Sequence, residues 1–187
     1  MPDTRLLKKF LLDAIQAFAR QNTFALRELG NRAIENAALS GDKQLAEFAL
    51  IAYCLHKLYS KQHIARHEKW QSLRRAILSS MDKAVNALES GNDTEFEGNM
   101  HQIISSIETI DEQIGYYTQG LYEKAKVKYA STAYALGVGL SQAAELTGAD
   151  KKSLLGYIGA TRVYDNEAVT AGIGERIDML KRKMGGS

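Results

Sequence analysis

Apolar residues recur at helical spacing along most of this chain. Leu6, Leu7, Phe10, Leu11, Ala14, Ile15 and Phe18 fall on one face of a helix that Thr4 can cap. Asn22 or Thr23 restarts or continues that helix. Leu26, Leu29, Ala33, Ile34 and Ala37 then carry the apolar face down to Ser40-Gly41-Asp42. That triplet sets a helix-ending glycine beside a helix-starting aspartate. Residues 43–64 are more densely apolar, through Leu45, Phe48, Ala49, Ile51, Ala52, Leu55 and Leu58, and are expected to form the central helix of a bundle. Over 66–88 the pattern continues with Trp70, Leu73, Ile77, Met81, Ala84, Val85 and Leu88. Ser90-Gly91-Asn92-Asp93 makes a second stop and cap. A last long helix is expected from near Thr94 through Ile103, Ile107, Ile110 and Ile114, with interruptions at Gly115 and Gly120.

The two stops echo each other: Ala37-Ala38-Leu39-Ser40-Gly41-Asp42 and Ala87-Leu88-Glu89-Ser90-Gly91-Asn92, with Phe48 and Phe96 following. Two copies fall short of the three or more that a solenoid needs. Short loops join antiparallel neighbours, so the echo predicts two antiparallel helical hairpins. The only proline is Pro2, and Ala, Leu, Lys, Glu and Gln are abundant, which predicts an all-α fold. The expected organisation is an antiparallel helical bundle over 1–132 and a small domain over 133–187, with Gly137-Val138-Gly139 as a flexible joint.

The most informative stretch is LSQAAELTGADKKSLLGYI, residues 140–158. Ala143 and Ala144 are small enough for close helix contact. Gly148, four residues after Ala144, suits a left-handed turn, and Asp150 suits the N-cap of a second helix. Leu154 and Ile158 repeat at i, i+4 and would face back onto Leu140, Ala144 and Leu146. An ordinary helical hairpin with a glycine turn would read the same way. In Ala144, Gly148, Asp150, Leu154 and Tyr157 the stretch resembles the helix-turn-helix of bacterial and archaeal DNA-binding proteins. Ala149 stands where that family usually carries valine or isoleucine. The resemblance implies that Lys151, Lys152 and Ser153, in the first turn of the second helix, enter the major groove of double-stranded DNA. Lys124, Lys128 and Arg162 would then meet phosphates.

Gly159-Ala160-Thr161-Arg162-Val163-Tyr164-Asp165-Asn166 reads as a connector rather than a helix. Beyond it Val169, Ile173, Ile177, Leu180 and Met184 share a face, with Arg176, Lys181, Arg182 and Lys183 elsewhere. That stripe would cover the small domain's core or pair with its twin in a homodimer.

Charge sharpens the picture locally. The whole chain carries only +2, yet from Gly120 onward ten Lys/Arg stand against seven Asp/Glu, a surplus of three beside the candidate DNA reader. A solvated helix face would give the same count. A second basic stretch, Lys57, Lys61, His63, Arg66, His67, Lys69, Arg74 and Arg75, surrounds Trp70 and is a candidate for holding a nucleic-acid backbone and stacking a base. Packing of Trp70 in a core is the plainer alternative. The single cysteine, Cys54, cannot form an internal disulfide. With no signal-peptide pattern and no apolar run of membrane-spanning length, the expected location is the cytoplasm.

Catalytic chemistry has no visible carriers. His63 and His67 lie at i, i+4, but Ile64 follows the first where a zinc protease needs Glu, and nothing nearby completes a metal set. None of His56, His63, His67 and His101 has an arginine at the upstream distance seen in helical HEPN ribonucleases. Gly137-Val138-Gly139 and Gly156-Tyr157-Ile158-Gly159 lack the strands that dinucleotide-binding and KH domains require. No cofactor, metal or enzymatic activity is expected. The expected function is therefore DNA binding by a transcriptional regulator, with the bundle as a protein-partner or sensing body. The alternatives are a non-catalytic helical scaffold and a subunit of a nucleic-acid-processing complex.

Overall fold

Local capping chemistry sets the helix boundaries. A computed structural model describes residues 4–114 and 120–170. Among them run α1 (Thr4–Ala19), α2 (Thr23–Ser40), α3 (Lys43–Tyr59), α4 (Gln62–Ala65), α5 (Trp70–Ser90), α6 (Asp93–Ile114), α7 (Leu121–Ala135), α8 (Leu140–Thr147) and α9 (Lys151–Thr170), with no strand. The all-α expectation holds. Asn22 caps α2 by accepting from the Ala25 N–H at 3.0 Å. Gly41 takes φ 72°, and its N–H donates to the Ala37 carbonyl. The Asp42 carboxylate then accepts from the Gln44 and Leu45 N–H groups, opening α3. The second stop repeats this logic. Gly91 takes φ 68°, the Glu95 N–H donates to Asn92 Oδ1, and Asn92 Nδ2 donates back to Glu95 Oε2.

The two expected hairpins form as α2–α3 and α5–α6, each packed chiefly on itself. α3 lies at the centre, touching α1, α2, α4, α6, α7 and α8. Its buried residues, among them Leu45, Phe48, Ile51, Cys54, Leu55 and Leu58, point in every direction round the helix, as its unbroken apolarity predicts. α7 seats against this core through Tyr122, Ala125, Tyr129 and Ala133. The boundary drawn at residue 132 falls inside α7. Ala143 and Leu146 of α8 also join the main core.

Two expectations are corrected. The helix read over 43–64 ends at Tyr59, and α5 begins only at Trp70. Ile64 and Trp70 are both buried in the core. Trp70, 2 % exposed, packs edge-on against Phe18 and Tyr59. It is not available to stack a base. Arg74 of the same basic stretch donates to Tyr59 Oη and to the Ala19 carbonyl, so its charge ties α5 to α1. The second correction is that 159–166 is helical, as part of α9. A glycine costs about 1 kcal/mol in a helix, which tertiary context outweighs. Gly156 and Gly159 face open space, and the Thr161 hydroxyl donates back to the Tyr157 and Ile158 carbonyls. The stripe of Ile173, Ile177, Leu180 and Met184 lies outside the described residues, as does the proposed dimer seam.

The seat of α7 depends on Gly30 of α2. A Cβ there would collide with the Tyr129 hydroxyl and press on the Ala49 carbonyl at 3.3 Å. The Tyr129 ring is fully enclosed and has no room to retreat. Gly30→Ala is expected to destabilise the chain by about 1–3 kcal/mol despite alanine's better helix propensity. Tyr129→Phe removes the colliding oxygen, so Gly30→Ala should cost clearly less in that background. Urea unfolding of the four members of this cycle measures the difference.

Candidate nucleic-acid interface

In the 140–158 stretch α8 and the start of α9 meet at a glycine turn. Gly148 takes φ 69°, and its N–H donates to the Ala144 carbonyl to close α8. Asp150 caps α9: its Oδ2 accepts from the Ser153 N–H at 2.8 Å and from the Ser153 hydroxyl at 2.9 Å. Leu154 is fully buried against Ala130 of α7 and Ala144 of α8, with Leu140, Ala149 and Ile158 around them. Ala149 thus fills the position after the turn glycine with a small side chain. Tyr157 lies at the surface. It is 39 % exposed and turns toward α7.

The sequence-predicted contact residues fall into two adjoining groups. Lys124 and Lys128, one turn apart on α7, meet Ser153 and Tyr157 of α9 across a cleft of about 530 Å³ that Tyr53 and Val127 also line. Lys151 and Lys152 are exposed on the first turn of α9, outside that lining. Ser153 has a structural duty that the sequence did not suggest, since its hydroxyl hydrogen is committed to Asp150. Arg162 lies on the helical part of α9, and its side chain is outside the described residues.

Two residues that sequence reading did not place here belong to the same surface. Tyr53 and Lys57 stand at i, i+4 on α3, and the Lys57 ammonium lies 5.5 Å from the Tyr53 ring centroid. Lys128 Nζ lies 5.8 Å from that same centroid. Their spacing on α3 was readable, but their meeting with α7 is long-range.

The opposite flank of the α8–α9 unit carries different chemistry. A cleft of about 580 Å³ reaches the Gly148 turn and is lined by Glu47, Glu97, His101 and Tyr122, among others. Burial raises the Glu47 carboxyl above its ordinary range; the charge on His101 opposes this and Glu97 adds to it. Lys43 at the start of α3 holds Glu145 of α8 at 2.9 Å, and that contact lowers the Glu145 carboxyl. His63 is exposed on the surface. No group of His, Cys, Asp and Glu suited to a metal ion occurs among the described residues. None of their helices is long and apolar enough to cross a membrane. No family model, curated protein or solved structure matches the chain.

The cap gives the interface a pH response. The hydrogen bonds from Ser153 hold the Asp150 carboxyl below the ordinary aspartate range. Its stabilising contribution is therefore full above the unfolded value and is lost as pH falls through the lowered one. Amide exchange at Ser153 is expected to accelerate across that acid window in the native chain. Asp150→Asn should keep the cap without the titration, and Asp150→Ala should expose the Ser153 amide at neutral pH.

Proposed function

We propose that the chain binds double-stranded DNA through α8, the Gly148 turn and α9 acting as a helix-turn-helix, and that it serves as a transcriptional regulator. The observation that carries this reading is the first turn of α9. It is capped, exposed and charged with Lys151 and Lys152, while a lysine-lined cleft opens beside it. A helix entering a major groove needs its N-terminal residues free and its far side anchored. Leu154 supplies the anchor. Lys124 and Lys128 would neutralise phosphates, and Arg162 would extend that line. Lys151 and Lys152 would meet base edges, where lysine pairs with guanine acceptors. The bundle would carry the protein-partner or sensing function. Burial of Trp70 removes the stacking platform that a single-strand-binding subunit would have used there.

Fluorescence anisotropy of labelled duplex DNA over a range of salt concentrations tests the reading. Wild-type binding is expected to weaken steeply with salt, by about 0.9 in log–log slope per phosphate neutralised. Lys151→Ala/Lys152→Ala should weaken duplex binding at least about tenfold, the scale of losing one good base contact of roughly 1–3 kcal/mol. Absence of binding at low salt, or binding indifferent to the double substitution, sinks the proposal and favours a scaffold.

A further inference from the structure

We propose that the cleft between α3, α7 and α9 is a phosphate-binding site to which the bundle contributes Lys57. The argument starts from charge. The Lys57 and Lys128 ammonium groups share one ring, that of Tyr53, at 5.5 and 5.8 Å from its centroid. Both cations gather at one quadrupole, and among the described residues no carboxylate pairs with either. An anion beside them would. The positive potential reaches His56, whose imidazole is lowered first by burial and further by Lys57 and Arg27, against its Nδ1 hydrogen bond to the Thr23 carbonyl.

Space and donors fit the same ligand. Lys124 and Lys128 line a cleft of about 530 Å³. Tyr53 and Tyr157 add phenol rings to its wall. Ammonium and phenol hydroxyl groups suit the oxygens of a phosphate ester as charge-assisted or neutral donors. Sequence reading gave Lys57 to the stretch around Trp70; the fold sets it beside Tyr53, the ring that Lys128 of α7 also approaches. The ligand is a phosphate group, supplied either by a DNA backbone or by a free phosphate ester. The site does not depend on α9 reading a sequence.

The test pairs two probes on the full chain. Tripolyphosphate is titrated calorimetrically at low ionic strength, and duplex DNA by anisotropy at several salt concentrations. Both are run on wild type, Lys57→Met, Lys128→Met and, as a charge-matched control, the exposed Lys83→Met. Circular dichroism confirms that each variant is folded. Lys57→Met is expected to weaken tripolyphosphate about tenfold, the scale of one hydrogen bond to a charged group. It should also lower the duplex salt slope by about 0.9. Lys83→Met should do neither. Tripolyphosphate binding that depends on Lys57, with no duplex binding, identifies a free phosphate ester as the ligand; the DNA reading then fails and the site stands. A Lys57-dependent duplex slope without tripolyphosphate binding identifies the DNA backbone. If Lys57→Met matches Lys83→Met with both probes, or wild type binds neither, the proposal is overturned.

Discussion

α7 is held from two sides at once, and the placement of everything after it follows from that. Tyr129, enclosed against Gly30 of α2 and in edge contact with Tyr53 of α3, fixes α7 on the bundle. The next residue, Ala130, turns away from that contact and receives Leu154 of α9. Adjacent positions on a helix point about 100° apart, so one short segment serves two packing surfaces with no linker between them. The candidate reader is therefore oriented by the bundle rather than tethered to it. Ala143 and Leu146 of α8, which also join the main core, strengthen the same connection.

This arrangement gathers charge that is dispersed in the sequence. The lysines of α7, of the first turn of α9 and of α3 come from three helices: Lys124 and Lys128 line one cleft, Lys151 and Lys152 are exposed beyond it, and Lys57 shares Tyr53 with Lys128. The cleft by the Gly148 turn mixes Glu47 and Glu97 with Lys43 and His101. Charge is thus unevenly spread around α9, although the whole chain is nearly neutral. Such unevenness orients an approaching polyanion more effectively than a uniform excess would.

Much of this could be read from residues because the responsible chemistry is local. Gly41 and Gly91 adopt left-handed turns, and Asp42, Asn92 and Asp150 cap the helices after them, through bonds spanning two or three residues. The failures share another origin. α3 ends at Tyr59 although no glycine or proline marks the stop, and the persistence of α9 past Gly159 overrides a propensity argument. Tyr53 and Lys57 were legible as a pair on α3, but nothing in the chain's order announces that they face Lys128. Side-chain spacing shows what one helix can offer. Only packing shows what it meets.

The smallness of the cluster under α9 has a consequence for how this chain breathes. Ala130, Ala144 and Leu154 are its buried members, and truncating a single buried leucine is worth about 2–5 kcal/mol. The bundle core is far larger. Among the described side chains, opening of α9 from α7 thus disturbs about one leucine's worth of buried packing. A surface fastened so lightly can reshape itself on a ligand at small energetic cost. The chain in effect carries a soft jaw on a rigid handle.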